Sequence, residues 1–265
     1  MAKKVEKHER VNDILLGPLE RSALQWLAAH MPDWVNPDML TILGIIASVL
    51  TLVSYALMGG HEVRGNGFLW LASFGFFMNW FGDSLDGSLA RYRHIERPRF
   101  GYFIDHSVDA FSVTAIFIGL GLSGMVPFSL GVLAAVGYLM AMINVYLKTF
   151  VTGIFEMTTA KIGPTEIRLL AVLINILVFF FGNPEVTLPL FGKMNVFTLA
   201  LGVVTVLLFG YFFYRTTSDG LRLAMLDGKR LERRQEREAK KAAKELEKEI
   251  KKEKKDKKDK KDKKK

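Results

Sequence analysis

Uncharged apolar stretches constrain the fold of this chain more than any other feature of the sequence. Residues 39–58 and 194–214 hold no charged side chain over 20 and 21 residues. About 20 apolar residues in a helix cross the hydrocarbon core of a bilayer. Because backbone groups in lipid must find their hydrogen-bond partners within the protein, helices are the expected spanning structure. The sequence therefore predicts an all-α, polytopic membrane protein.

Four more spans complete this prediction. Residues 110–147 carry no charge over 38 residues, which is too long for one span, and Gly124 with Pro127 divides them. Further apolar runs cover residues 65–82 and 169–183, the second of them after Pro164, and the third span begins near Phe100. Six transmembrane helices are the expected total.

An amphipathic helix is predicted before the first span, from Pro18 to about Met31. Apolar residues recur there at helical spacing, with Glu20, Arg21 and Gln25 between them. We interpret this segment as a helix that lies on the membrane surface. The alternative is a helix of a soluble kind packed against a partner. Three regions follow from this organisation: a basic lead with the interfacial helix at residues 1–34, a six-span domain at 35–216, and a Lys-rich tail at 217–265.

The basic charge of the chain belongs to its last 37 residues. The formal net charge is +9, but residues 229–265 contribute 20 basic and 10 acidic side chains, net +10. Residues 1–228 therefore carry net −1. The first part of this segment alternates Glu with Lys and Arg, as in a charged helix, and its end is expected to be solvated and disordered. Such a tail suits contact with an anionic membrane surface, and no nucleic-acid partner is expected.

The positions of Lys and Arg predict the orientation of the spans. Basic residues concentrate before the first span, in the loop between the second and third, around residues 148–168, and after the sixth. The alternate loops hold only Arg64 and Lys193. Both termini are therefore expected in the cytoplasm, in an integral multi-pass protein.

Four aspartates stand at the ends of the second and third spans. Asp83 and Asp86 are three residues apart, and Asp105 and Asp109 are four apart, so in helices each pair shares one face. An ionised carboxylate at membrane depth costs about 2.5 kcal/mol or more unless it is paired, hydrated or coordinated. Hard oxygen ligands suit Mg²⁺, Mn²⁺ or Ca²⁺. The quartet therefore predicts a divalent cation site on the cytoplasmic side.

Small residues near the aspartates indicate room for a ligand. Gly87 and Ala90 follow the first pair by one turn, and Gly101 precedes the second pair by one turn. Arg91 is placed to neutralise a phosphate or to brace a carboxylate. The GxGxxG pattern at residues 119–124 lies inside a span with no strand before it, so we interpret it as close helix packing instead of a dinucleotide fingerprint.

The whole stretch resembles the signature of the CDP-alcohol phosphotransferase family, also called CDP-alcohol phosphatidyltransferases. That signature is Asp-x2-Asp-Gly-x2-Ala-Arg, eight or nine residues, then Gly-x3-Asp-x3-Asp. All eight positions are filled across 27 residues, by Asp83, Asp86, Gly87, Ala90, Arg91, Gly101, Asp105 and Asp109.

The resemblance implies a reaction and residue roles. A hydroxyl attacks the phosphorus next to the alcohol of a CDP-alcohol, CMP leaves, and a phosphodiester is formed. Asp83, Asp86 and Asp105 would hold one or two Mg²⁺ or Mn²⁺ ions, and Asp109 would be the general base that also shares a second ion. Gly87, Ala90, Arg91 and Gly101 would line the nucleotide site. One of the two substrates would be a lipid, with a homodimer as a candidate assembly.

The acceptor side is less constrained by the sequence. Lys161, Glu166 and Arg168 lie at the cytoplasmic mouth of the fifth span, where cations could hold an anionic headgroup. They could equally be positive-inside residues with Glu166 as their counter-ion. His106 is either a functional neighbour of Asp105 or a packing histidine. The Asp105-His106 pair is similar to the choline and ethanolamine phosphotransferase branch, but two residues leave the branch open.

Two other classes of function compete with the phosphotransferase. A carboxylate-bearing ion or proton transporter would also place acids in spans, although transporter sites usually lie near the midplane and within repeats. An interaction protein that acts through its tail, with the spans as an anchor, would leave the four aspartates without a role.

Overall fold

A computed structural model describes residues 9–11, 16–156, 163–189 and 192–262. The described part is almost entirely helical, as predicted. Its helices are α1 (Gly17–His30), α2 (Pro37–Met58), α3 (Phe68–Tyr92), α4 (Pro98–Leu122), α5 (Phe128–Thr152), α6 (Pro164–Phe181) and α7 (Val196–Asp262). Its strands are β1 (Glu9–Val11), β2 (Ile154–Glu156), β3 (Glu185–Leu188) and β4 (Gly192–Asn195).

The helix boundaries follow the breaks in the sequence. Pro37 occupies the first turn of α2, and the Asn36 side chain caps that helix by accepting a hydrogen bond from the Met39 amide at 3.0 Å. Proline also stands in the first turn of α4 and α6. Gly153 ends α5 with a left-handed φ of 76°, a conformation that glycine adopts without a steric cost.

Five helices in the described residues are long and apolar enough to cross a membrane: α2, α4, α5, α6 and the first part of α7. The protein is therefore an all-α, multi-pass membrane protein. Helix α3 is equally long, at 25 residues, but it is less apolar because its second half carries Asp83, Asp86 and Arg91. Its assignment as a membrane span, the second in the chain, remains a prediction.

Helices α2, α3 and α4 pack closely through glycine. A Cβ on Gly82 of α3 would lie 2.5 Å from the Leu40 carbonyl oxygen of α2, and one on Gly119 of α4 would lie 2.8 Å from Leu52 Cα. Only glycine permits such close backbone approach. The contact at Gly119 confirms that the GxGxxG pattern serves helix packing. Helix α2 thus packs against both α3 and α4.

The predicted amphipathic helix is present as α1, and part of its apolar face is covered by protein. Leu24 and Ala28 are buried against a cluster that includes Leu85 and Leu89 of α3. Trp26 stays 62% exposed. Helix α1 therefore docks on the helix that carries the first two aspartates and keeps an exposed aromatic side chain suited to a membrane interface.

Short strands are the departure from the all-helical expectation. β1 pairs in parallel with β2, and β3 pairs with β4 in an antiparallel hairpin. The chain divides into two compact units, Met1–Phe213 and Tyr214–Lys265. In the second unit, α7 remains helical through Asp262, so the expectation of a disordered end is wrong. Glu and Lys or Arg three or four residues apart favour a helix, as in the Arg234–Glu238 pair at 2.9 Å.

Candidate active site

Helices α3 and α4 each present one pair of aspartates near the same end of the bundle. Asp83 and Asp86 lie in the second half of α3, and Asp105 and Asp109 lie in the first half of α4. All four are half-buried. The structure thus places both halves of the motif on helices, as the spacing predicts.

Asp83 forms an ion pair with Arg168 of α6. The Arg168 Nη2 and Asp83 Oδ2 atoms are 2.7 Å apart, and the two side chains are 13% and 19% exposed. A charge-assisted hydrogen bond of this length in a partly buried setting is stronger than one at an open surface. Arg168, which the sequence placed with the acceptor-side residues, therefore lies at the aspartate cluster itself.

Asp86 is held by a hydroxyl from α2. The Thr41 hydroxyl donates to Asp86 Oδ2 at 2.6 Å. The other carboxylate oxygen, Oδ1, accepts from the Gly87 amide at 2.5 Å. These two hydrogen bonds fix the orientation of the carboxylate, and Thr41 is a site residue that sequence reasoning missed.

The four carboxylates share one electrostatic environment. Asp109 is repelled by Asp83, Asp105 and Asp86 and attracted by Arg168. Asp86 is likewise repelled by Asp83 and Asp105. Arg168 supplies a guanidinium to this group of four carboxylates, and the donor set consists of hard oxygen atoms. This donor chemistry fits a divalent cation such as Mg²⁺ or Mn²⁺. Among the described residues, no three acidic or histidine side chains converge into a ready-made metal site.

The glycines of the motif leave space beside the aspartates. A Cβ on Gly87 would meet Arg91 Nη1 at 3.3 Å, so the arginine folds back along α3 over this position. Arg91 Nη2 also donates to the Ser88 hydroxyl at 3.1 Å, and the side chain is exposed. A Cβ on Gly101 would have open space around it. Ala90 is half-buried, and its carbonyl accepts from the Ile95 amide at 3.0 Å in the loop that follows α3.

The remaining acceptor-side residues have different surroundings. Glu166 accepts from the Leu16 amide at 3.0 Å and from the Gly163 amide at 2.9 Å, so it caps α6 and ties that helix to the start of α1. This geometry favours a structural role for the carboxylate. Lys161 lies outside the described residues.

His106 is buried in an aromatic cluster. Its ring packs edge-to-face on Tyr102 at 4.2 Å and stacks on Tyr146 at 4.8 Å, both between ring centroids. Its Nδ1 atom lies 3.8 Å from Asp105 Oδ2. These contacts agree with the interpretation of His106 as a packing histidine, and a functional role beside Asp105 stays a prediction.

Helix α5 contributes two tyrosines that the sequence did not single out. Tyr138 and Tyr146, about two turns apart, are close enough to Asp109 for its charge to act on their hydroxyl groups. The Tyr146 hydroxyl is buried, and none of the described residues forms a hydrogen bond with it. Both tyrosines lie in the uncharged residues 110–147, where the sequence predicts only membrane spans. The spacing of residues in this run gives no signal for a functional site.

A buried polar network lies one turn from the aspartates, inside the bundle. Asn79 Nδ2 donates to the Ser48 hydroxyl at 2.9 Å and to the Gly44 carbonyl at 3.0 Å, and the hydroxyls of Ser48 and Ser112 are 2.8 Å apart. Asn79 precedes Asp83 by four residues on α3, and Ser112 follows Asp109 by three on α4. We call Asn79, Ser48 and Ser112 the inner network. It sets the spacing of the two motif helices through α2.

Fold and site together define a polytopic membrane protein with a carboxylate-rich site between two helices. The profile of the CDP-alcohol phosphatidyltransferase family matches residues 34–209, which is most of the chain and runs from just before α2 into the first part of α7. The chain belongs to this family. Members of the family use divalent metal ions.

Curated relatives match between about half and three quarters of the chain. Cholinephosphotransferase 1 of Danio rerio is 28% identical over 200 residues, which cover 72% of this chain and 50% of that protein. The Homo sapiens protein of the same name is 27% identical over 187 residues, 66% of this chain and 44% of that protein. A CDP-diacylglycerol–serine O-phosphatidyltransferase of Encephalitozoon cuniculi (strain GB-M1) is 31% identical over 137 residues, 51% and 34% respectively. The chain spans about half the length of the cholinephosphotransferases that it matches.

Proposed function

We propose that this protein is a CDP-alcohol phosphotransferase of phospholipid biosynthesis. It moves a substituted phosphate from a CDP-alcohol to an acceptor hydroxyl and releases CMP. The observation that carries the proposal is the arrangement of the Asp quartet, with both halves of the motif near one end of α3 and α4 and Arg168 paired with Asp83. Family membership supports the same reaction.

The acidic residues divide the chemistry between them. Asp83, Asp86 and Asp105 would hold Mg²⁺ or Mn²⁺, which neutralises the diphosphate and stabilises the leaving phosphate. Asp109 takes the proton from the acceptor hydroxyl. At the same time, the oxygen of that hydroxyl forms the new bond to the phosphorus next to the alcohol of the donor. The bond from that phosphorus to the CMP oxygen breaks in the same displacement, and CMP leaves.

The remaining motif residues bind and position the nucleotide. Arg91 is exposed and close to Gly87, where its guanidinium can meet a phosphate of the donor. Gly87, Ala90 and Gly101 keep side-chain bulk away from the nucleotide. Arg168 stabilises Asp83 and adds a positive charge to a site that must accept anionic substrates.

The names of the relatives suggest which CDP-alcohol is the donor, and the donor in turn limits the choice of acceptor. The relatives that cover most of the chain are named cholinephosphotransferases, and another relative is named for CDP-diacylglycerol and serine. Among the candidate substrate pairs, we therefore propose CDP-choline as the donor and a lipid alcohol such as diacylglycerol as the acceptor. Purified protein in nanodiscs is incubated with CDP-choline, CDP-ethanolamine or CDP-diacylglycerol and matching acceptors, and the lipid product is identified by mass spectrometry. Absence of product and of CMP with every pair would contradict the proposal.

The proposed orientation puts both termini and the site in the cytoplasm. Arg91, Arg93, Arg97 and Arg99 crowd the segment that joins α3 and α4, and such basic loops stay on the cytoplasmic side. Because the sequence has no cysteine, Arg97→Cys and Glu62→Cys each report on a single loop. A membrane-impermeant thiol reagent should label the Glu62→Cys protein in intact cells and spare the Arg97→Cys protein. Labelling in the reverse pattern would overturn the orientation.

The organisation of the chain is part of the proposal. Residues 35–216 form the catalytic domain, residues 1–34 supply the interfacial helix, and residues 217–265 form a cytoplasmic tail without a nucleic-acid partner. A homodimer is the proposed assembly. The mass of the purified protein–detergent complex, corrected for bound detergent, distinguishes a homodimer from a monomer.

A further inference from the structure

A single carboxylate oxygen of α1 joins the two helices that meet at the Asp83–Arg168 ion pair. Glu20 Oε1 accepts from Trp80 Nε1 at 2.9 Å and from the Ser84 hydroxyl at 3.2 Å, both on α3. The same oxygen accepts from the Thr165 hydroxyl of α6 at 2.8 Å. All four side chains are half-buried, so these hydrogen bonds are screened less than bonds at an open surface.

The donors stand next to the ion pair in the chain. Ser84 directly follows Asp83 on α3, and Thr165 precedes Arg168 by three residues on α6, which is nearly one helical turn. The Glu20 carboxylate therefore fixes the α3 turn of Asp83 relative to the α6 turn of Arg168. A shift between these two turns would change the distance between the carboxylate and the guanidinium.

A reciprocal contact ties α1 to α6 from the other side. The Glu166 carboxylate of α6 accepts from the Leu16 amide at 3.0 Å, just before α1 begins. Each helix thus supplies one carboxylate to the other. We call Glu20, Ser84, Thr165 and Glu166 the outer network.

From these contacts we infer that Glu20 is a positioning residue for the phosphotransfer site: through Ser84 and Thr165 it keeps Asp83 of α3 and Arg168 of α6 in register. The inference rests on the proposed function, because that function makes Asp83 and Arg168 part of a phosphotransfer site. The hydrogen bonds of Glu20 do not depend on the proposed function. This positioning role gives the interfacial helix a second task besides lying on the membrane. Glu20 touches neither the substrates nor the reacting atoms.

The test compares Glu20→Ala and Glu20→Gln with a matched control on the same helix, Ser22→Ala. Ser22 is exposed, and its hydroxyl donates to the Pro18 carbonyl of the same helix at 3.1 Å. Glu20→Ala should lower kcat about tenfold and change the KM for the CDP-alcohol less than about threefold, because an interaction that orients the reacting groups is lost. Glu20→Gln keeps an amide oxygen that can accept, so it should recover most of the activity. Ser22→Ala should match the unaltered protein.

A readout independent of turnover is Mn²⁺ binding without substrate, followed by electron paramagnetic resonance. Glu20→Ala should weaken this binding severalfold, and Glu20→Gln should restore it. A double variant with Thr165→Val should bind Mn²⁺ no more weakly than Glu20→Ala alone, since both changes remove the same contact.

Two results would overturn the inference. One is a Glu20→Ala protein whose kcat and Mn²⁺ affinity equal those of the unaltered protein. The other is a Glu20→Ala protein that only folds in lower yield, while its folded fraction keeps normal kcat and Mn²⁺ affinity. If the unaltered protein releases no CMP, the proposed function fails, whereas the Mn²⁺ series still decides whether Glu20 positions the site.

Discussion

The inner and outer networks both hold α3, the helix of Asp83 and Asp86, but they do so by different chemistry. The inner network consists of neutral side chains that are almost fully buried, with exposures of 2% for Asn79, 0% for Ser48 and 4% for Ser112. The outer network uses the carboxylates of Glu20 and Glu166, which are half-buried at the end of the bundle. Ionised groups are costly inside a membrane, whereas neutral polar groups that satisfy one another are tolerated.

The two networks differ in how far they allow the helices around the aspartates to shift. The inner network sits between close-packed backbones, so it allows little adjustment of α3 against α4. The outer network crosses from α1 to α3 and α6 through side chains alone. A change that forces the interior backbones apart is therefore expected to cost more activity than the loss of a single side-chain contact in either network.

The largest effect is expected where the interior packing is tightest. Gly82→Ala would bring a Cβ within 2.5 Å of the Leu40 carbonyl oxygen and 2.7 Å of the Gly44 amide nitrogen, both backbone atoms. The helices must separate next to Asp83, so CMP release should fall by about 100-fold. Gly202→Ala in α7 is the matched control, because a Cβ there meets nothing within 4 Å. Equal activity of the two variants would remove the claim that the interior is rigid.

A smaller effect is expected within the inner network itself. Ser48→Ala removes one acceptor of Asn79 and the partner of the Ser112 hydroxyl, while Asn79 keeps its bond to the Gly44 carbonyl. The free energy of unfolding should fall by about 1 kcal/mol, with a severalfold loss of activity. The exposed Ser129→Ala on α5 should leave both unchanged. Thermal unfolding in detergent measures the first quantity. An unaltered melting temperature for Ser48→Ala would show that the network does not hold the helices.

The surface contacts of α1 should give a weaker response. The Arg93 guanidinium donates to the Met31 carbonyl at 3.0 Å, to the Pro32 carbonyl at 2.8 Å, and to the Val35 carbonyl. Arg93→Lys cannot reproduce this fork of donors. Hydrogen exchange in residues 17–30 should accelerate, while CMP release falls only about twofold to threefold. Arg230→Lys, on the exposed part of α7, is the control. An unchanged rate of hydrogen exchange in α1 would mean that the hydrogen bonds of Arg93 do not stabilise this helix.

The smallest effect is expected from removal of residues 229–265. None of the contacts described at the aspartates or in the two networks involves this segment. Specific activity in detergent should remain within about twofold of the full-length value, as expected for parts of a protein that do not interact. A large loss would show that the charged helix takes part in the site.

The sequence predicted the elements of this fold well because their signals are local. Asn36-Pro37, Gly124 with Pro127, and Pro164 mark helix boundaries that the structure confirms. The spacing of the aspartates is enough to predict that the two members of each pair lie on one face of their helix. The tail was expected to end in disorder, but its charged residues at helical spacing continue α7.

The contacts of the site could not be predicted, since they join distant residues. Thr41 reaches Asp86 across 45 positions, and Glu20 reaches Thr165 across 145. No periodicity in one helix specifies which residue of another helix will face it. Arg168 was noticed as a cation, but its pairing with Asp83 required the packing of α6 beside α3.

Release of CMP from a CDP-alcohol by the purified protein tests the central claim most directly. The assay uses CDP-choline and diacylglycerol, with Mg²⁺ or Mn²⁺ or with excess EDTA, and compares the unaltered protein, Asp105→Asn and the exposed control Asp33→Asn. Metal-dependent release is expected in the unaltered protein and in Asp33→Asn. A loss of about 100-fold or more is expected in Asp105→Asn, because an acidic ligand at the transferring phosphate is removed. Full release in excess EDTA, or from Asp105→Asn, would contradict the claim that the Asp quartet is the site of phosphate transfer.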